Sequence, residues 1–130
     1  PRPIALSIES VTVTGDSDSW EQVLGNITQN IVRYTPAGSP VSVELHEIKS
    51  EGKAMAELII DDSGPGIPEN MRERIFDRFA RLDDSRSTET GGFGLGMSII
   101  KATVLAHLGT IALQESPTGG LRIRIHVPVS

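Results

Sequence analysis

Three segments of this chain gather polar side chains and glycines in patterns suited to binding a charged ligand. Asn26, Asn30 and Arg33 stand four and three apart, so in a helix they share one face and align two carboxamides with a guanidinium. A carboxamide oxygen suits a hard cation such as Mg²⁺, and the guanidinium fork matches phosphate oxygens. A plain solvated helix face would carry the same residues, so spacing alone leaves both possibilities open. Asp61-Asp62-Ser63-Gly64-Pro65-Gly66-Ile67 follows an apolar strand pattern and puts carboxylates where the chain must turn. A carboxylate beside glycines can accept a hydrogen bond from an amino group on a flat ring while bare backbone packs against the ring's edge. An ordinary Asp-Gly-Pro turn is the alternative. Gly91-Gly92-Phe93-Gly94-Leu95-Gly96 precedes a helical pattern, which sets unobstructed N–H groups at the positive end of a helix dipole, an anion cradle.

Competing phosphate motifs fail. A dinucleotide fingerprint started at Gly92 meets Met97 where Gly or Ala is needed, and one started at Gly94 meets Ile99. A P-loop requires Gly-Lys-Ser/Thr, but Lys49-Ser50 follows Ile48. His46-Glu47-Ile48-Lys49-Ser50 misses the zincin pattern because Ser50 stands where the second histidine belongs. His46, His107 and His126 all read as solvated or structural.

Periodicity predicts the helices and strands around these segments. Ile4, Leu6 and Ile8, then Val11 and Val13, alternate as strand material leading to a turn at Gly15-Asp16. Asp18 and Glu21 form a capping box for a helix whose buried stripe is Trp20, Val23, Leu24, Ile27, Ile31 and Tyr34, stopped at Thr35-Pro36. Val41, Val43 and Leu45, then Ala56, Leu58 and Ile60, predict a hairpin. Pro68 opens a second helix through about Phe79, with Met71, Ile75, Phe76 and Phe79 apolar. Residues 81–94 lack periodicity and read as a mobile lid. Gly96 to Leu108 predicts a third helix with Ile99, Ile100, Val104 and Leu108 inward and Gly109 as its stop. Ile111, Leu113, a turn at Pro117 to Gly120, and Leu121, Ile123, Ile125 and Val127 make a closing hairpin.

Helices and hairpins interspersed in this way predict an α/β protein, a two-layer α/β sandwich. With 130 residues, 38% of them hydrophobic, residues 1–130 are expected to form a single domain around a mostly aliphatic core. A net charge of −5 argues against a nucleic-acid surface, and zero cysteines fits a reducing compartment. No apolar stretch approaches the roughly 20 residues that span a bilayer, so the expected location is cytoplasmic.

Taken in order, the amide helix, the Asp-Gly turn and the glycine-rich helix start resemble the Bergerat-type ATP-binding fold of histidine kinases, type II topoisomerases, heat-shock chaperones and mismatch-repair ATPases. The resemblance is greatest to sensor histidine kinases: Asn26 to Pro36 is similar to their N box, Asp62 to Ile67 to the G1 box, Arg74 to Arg81 to the F box and Gly92 to Gly96 to the G2 box. It covers Ile4 to Val127. It implies a mixed sheet of about five strands covered on one face by three helices, with a mobile ATP lid. It further implies that Asn30 coordinates Mg²⁺ with support from Asn26, and that Arg33 contacts the phosphates. Tyr34 would lie against the nucleoside, Asp62 would accept from the adenine amino group, and Gly64, Gly66 and Ile67 would admit the base. Phe76 and Phe79 would anchor the lid, Arg81 would reach the terminal phosphate, and Gly92, Gly94, Leu95 and Gly96 would offer backbone donors.

Ile31, Ala80, Phe93 and Leu108 depart from the family's usual residues, the last replacing a glycine. Hydrolysing relatives carry a glutamate four residues before the metal-binding Asn, where it orients and deprotonates water. Here that position is Asn26, and an amide is a poor base. The resemblance therefore implies ATP and Mg²⁺ as cofactors and γ-phosphate transfer to a histidine on a separate dimerisation domain of the same full-length protein. A response regulator receiver domain would be next in line. An ATP-binding regulatory module without transfer, or an anti-sigma serine kinase, is the alternative. The isolated domain is expected to be a monomer, and the full-length protein a homodimer and an inner-membrane sensor.

Overall fold

A computed structural model describes residues 3–13, 15–76 and 92–129, the side chains of Tyr34 and of residues 92–95 excepted. Its architecture is the expected two-layer α/β sandwich. Strands β1 (Ile4–Ile8), β2 (Val41–Ser50), β3 (Lys53–Asp61), β4 (Thr110–Glu115) and β5 (Leu121–Pro128) form one sheet in the order β1-β2-β3-β5-β4. The β1–β2 pair is parallel and the others antiparallel, so the sheet is mixed. Helices α1 (Ser17–Tyr34) and α2 (Gly92–Ala106) pack against one another. Between them and the sheet lies an aliphatic core in which Val23, Ile27, Met97, Ile100, Val104 and Ile125 are almost fully buried.

Local chemistry sets the helix ends. The N-cap of α1 is Asp16, two residues before the expected Asp18: its Oδ1 accepts from the Asp18 N–H at 3.2 Å and its Oδ2 from the Ser19 hydroxyl at 2.9 Å. Asp16, Ser17, Asp18 and Ser19 are all capable caps, and the one in extended backbone wins. Thr35 closes the helix in extended conformation ahead of Pro36, as expected. Leu24 lies at the outer edge of the buried stripe and is 47% exposed. The helix expected to open at Pro68 takes, up to Phe76, the form of two 3₁₀ turns, Glu69–Met71 and Arg74–Phe76, which still bury Ile75 and Phe76. Phe79 and the lid segment lie outside the described residues.

Helix α2 begins at Gly92 and its core positions are Met97, Ile100 and Val104. Leu108, expected inward, is 81% exposed and has φ 63°. It takes the left-handed position that ends a helix, and the Gly109 N–H then reaches back to the Val104 carbonyl at 2.9 Å. A side chain is disfavoured there, so Leu108→Gly is expected to raise stability by roughly 0.5–1 kcal/mol. An unchanged or lower melting temperature would contradict this.

On the sheet face away from the helices, register aligns His46, Glu57 and His126 across β2, β3 and β5. Glu57 is buried and receives His46 Nε2 at 2.7 Å, His126 Nε2 at 2.6 Å and Arg124 Nη1 at 2.8 Å. Burial alone would raise its pKa, but the hydrogen bonds from His126, His46 and Arg124 together outweigh it and lower the value from 4.5 to about 2. The two histidines are thus structural, as expected. A depressed carboxylate contributes stability above its ordinary value that is lost as the pH falls through the folded one. Glu57→Gln is therefore expected to cost on the order of 2 kcal/mol at neutral pH, discounted for the part-exposed partners. The gap to the unsubstituted chain should narrow between pH 4.5 and about 2. Denaturant titrations across that range measure it, and a pH-independent difference would contradict it.

Candidate nucleotide-binding cleft

Two adjacent carboxylates at the end of β3 are given different fates by strand alternation. Asp61 pairs in register with Arg122, whose Nε and Nη2 hold its two oxygens at 2.7 and 2.9 Å. That bidentate hydrogen bond is the main cause of the raised Arg122 pKa. Asp62 points the other way, into a cleft between α1, α2 and the sheet. Its Oδ1 accepts two backbone N–H groups, from Gly64 and Leu121, each at 3.0 Å. Among the described residues Oδ2 takes no hydrogen bond, so a fixed carboxylate with one spare oxygen lines a mostly apolar slot.

Asn30, Asp62, Gly66 and Ile67 line this cleft together, so the helix face and the Asp-Gly turn do converge. Gly66 holds φ 73°, a conformation that side chains resist and that turns the chain along the cleft wall. Asn26 lies one turn before Asn30, and both border Gly96: a Cβ placed on Gly96 would stand 3.8 Å from Asn30 Nδ2 and 4.0 Å from Asn26 Cβ. The start of α2 is thereby brought against the amide face. Asn30 Nδ2 donates to Met97 Sδ at 3.2 Å, which turns the acceptor end of the amide away from the thioether. Asn26 Nδ2 is buried with no partner among the described residues.

Other expectations fare differently. Because α2 begins at Gly92, the helical residues whose amides have no acceptor inside the helix are 92–94, and the Leu95 and Gly96 N–H groups join the helical ladder. Gly96 therefore contributes space rather than a donor in this conformation. Arg33 is exposed in the last turn of α1 and does not line the cleft. Phe76 is buried beneath α2, with Lys101 Nζ 4.9 Å from its ring centre, and does not line the cleft either. The Tyr34 side chain, Phe79 and Arg81 lie outside what is described.

Thr35, Met97, Leu121 and Ile123 also line the cleft and were not singled out by sequence. Met97 was reachable, since it follows the glycine run on the core face of the same helix. Leu121 was not, because its place beside Asp62 depends on strand pairing 59 residues away. Among the described residues no group of three or more His, Asp or Glu side chains is arranged to hold a metal ion.

Residues 15–130 match the family described as histidine kinase-, DNA gyrase B-, and HSP90-like ATPase. The chain is 38% identical over 124 residues to the probable sensor histidine kinase TcrY of Mycobacterium tuberculosis (strain ATCC 25618 / H37Rv), covering 95% of this chain and 25% of that protein. A solved structure of the mycobacterial sensor histidine kinase MprB is similar with a TM-score of 0.82 at 30% identity, covering 98% of this chain and 81% of that one. Full-length ShkA in complex with AMPPNP gives a TM-score of 0.76 at 25% identity, covering 98% and 26%. The chain spans between 8% and 25% of the length of the curated relatives it matches. The converging amide face, Asp-Gly turn and glycine-led helix, set on this sheet, place the chain in the histidine kinase-, DNA gyrase B- and HSP90-like ATPase family, as a histidine kinase-type ATP-binding domain.

Proposed function

We propose that the cleft binds Mg-ATP and that the chain delivers the γ-phosphate to a histidine on a dimerisation domain of the same full-length protein, from which a response regulator receiver domain takes it. The observation that carries this reading is Asp62, 9% exposed, with Oδ1 committed to two backbone donors and Oδ2 without a partner among the described residues, in a mostly apolar slot. A flat base bearing an exocyclic amino group satisfies that acceptor and fills the slot between Ile67, Met97 and Ile123.

The residues present fit Mg²⁺. Asn30 keeps its carbonyl oxygen for a hard cation because its amino end is engaged by Met97, and Asn26 brings a second carboxamide to the same face, its Nδ2 without a partner among the described residues and so available to a phosphate or water oxygen. Bound there, the ion would supply charge neutralisation for the phosphates. Arg33, Tyr34, Arg81 and the backbone of Gly92 and Gly94 would complete the nucleotide contacts, with Leu95 and Gly96 bordering the phosphates, while Phe76 and Phe79 would anchor the lid. The protein's contribution is then positioning and electrostatics, with no covalent step of its own. Asn26, an amide where hydrolysing relatives keep glutamate, favours transfer over hydrolysis.

Among the described residues no helix is long and apolar enough to cross a membrane. We assign the domain to the cytoplasmic portion of a membrane sensor, monomeric when isolated and brought into a homodimer by its dimerisation domain. The first test uses the chain alone with Mg-ATP: nucleotide binding with negligible phosphate release is expected. Steady multiple-turnover hydrolysis would make it an ATPase and overturn the proposal.

A further inference from the structure

The carboxylate that reads the base is held from behind by a segment far away in sequence. The turn between β4 and β5, residues 116–120, bonds the Asp62 backbone through Thr118 and packs Gly120 against it, while Leu121, the first residue of β5, holds its carboxylate. The Asp62 N–H donates to the Leu121 carbonyl at 3.0 Å, the Leu121 N–H donates to Asp62 Oδ1 at 3.0 Å, and the Thr118 hydroxyl donates to the Asp62 carbonyl at 3.1 Å. Thr118 has one hydroxyl proton, given to Asp62, so in its 2.9 Å contact with Ser116 the serine must be the donor. Ser116 is only 3% exposed and its oxygen accepts the Thr118 N–H at 3.3 Å. Two hydroxyls thus form a directed relay from a buried serine to the Asp62 backbone. Gly120 completes the seat: a Cβ there would stand 2.3 Å from the Asp62 carbonyl oxygen and 2.4 Å from Oδ1, a contact no side chain could make without displacing Asp62.

We infer that the 116–120 turn is a specificity-determining element, in which Thr118, backed by Ser116 and given room by Gly120, positions Asp62 so that its free oxygen selects a base carrying an amino donor. The inference rests on the adenine-nucleotide reading of the cleft. These are positioning residues: none of the three reaches the base itself, and each acts through Asp62. A loosened turn lets Asp62 rotate, which weakens recognition of the amino group while leaving phosphate and ring contacts in place.

Thr118→Val keeps shape and removes the hydroxyl, and Thr118→Ser restores it. Binding of ATP and of inosine triphosphate, which has an oxo group in place of the amino group, is measured by calorimetry for the full 130-residue chain. Melting curves verify that each variant is folded. The unsubstituted chain is expected to prefer ATP at least about tenfold. Thr118→Val should weaken ATP binding about five- to tenfold and inosine triphosphate binding less than about twofold, with Thr118→Ser recovering most of the ratio. Asp62→Asn is the control. If it abolishes the preference while Thr118→Val leaves the ratio intact, or weakens both nucleotides equally, the turn is not a specificity element and the inference falls alone. If Asp62→Asn leaves the preference intact, the reading of the cleft falls, and the inference with it.

Discussion

Asp62→Asn is expected to weaken ATP binding about 100-fold and to reverse the preference between ATP and inosine triphosphate. The carboxylate's two ends are not equivalent. Oδ1 is the acceptor for the Gly64 and Leu121 N–H groups, so an asparagine there keeps its carbonyl oxygen in that seat and turns its NH₂ toward the cleft. A donor then faces the adenine amino donor, while the oxo group of inosine gains a partner. Loss of ATP affinity without any gain for inosine triphosphate would mean that the base lies in another orientation. Unchanged ATP affinity would remove the base from this cleft.

The second large effect is expected at Asn30. Asn30→Asp is nearly isosteric but replaces the donor that meets Met97 Sδ at 3.2 Å with a charged acceptor, and sets a negative charge where phosphates are to be neutralised. Phosphotransfer at saturating Mg-ATP is expected to fall at least 100-fold, the scale of losing one well-placed electrostatic contact in the transition state. Binding of Mg-free ADP should change far less, because the base-binding wall is untouched. Single-turnover labelling of an acceptor domain measures the first quantity and calorimetry the second. A mutant that labels at the original rate would show that Asn30 does not serve the metal.

What the sequence makes legible here is whatever short-range chemistry encodes. Alternation in Val41 to Leu45, Ala56 to Ile60 and Leu121 to Val127 locates three strands, and these do supply the buried face of the sheet. The i, i+4 spacing of Asn26 and Asn30 places both on one face, and the Asp-Gly-Pro-Gly turn lies across the cleft from it. Local signals fail where several residues compete or where a residue takes an unusual conformation. Asp18 has the capping-box partner Glu21 on paper, yet Asp16, held in extended backbone, is the residue that caps. Leu108 continues the apolar period of α2, yet the helix ends before it and its positive φ turns it outward.

Non-local contacts are illegible for a different reason. Neither the seat of Asp62 on Leu121, Thr118 and Gly120 nor the gathering of His46, His126 and Arg124 around Glu57 leaves a mark at any sequence spacing. Both are products of strand register. The division of labour between Asp61 and Asp62 is intermediate: alternation says that they face opposite ways, but only the β3–β5 pairing gives Asp61 to Arg122 and so reserves Asp62 for the cleft.

The proposed function stands or falls with phosphate transfer from this chain to a histidine of a dimerisation domain. Mixing it with γ-labelled Mg-ATP and a separately produced histidine-bearing dimerisation domain of its own full-length protein tests that most directly. Label on the dimerisation domain that is stable to base and lost in acid, dependent on Mg²⁺ and absent when that histidine is replaced, is the expected result. A dimerisation domain that stays unlabelled, while calorimetry on the same preparation finds ATP bound, would contradict the claim and leave an ATP-binding regulatory module in its place.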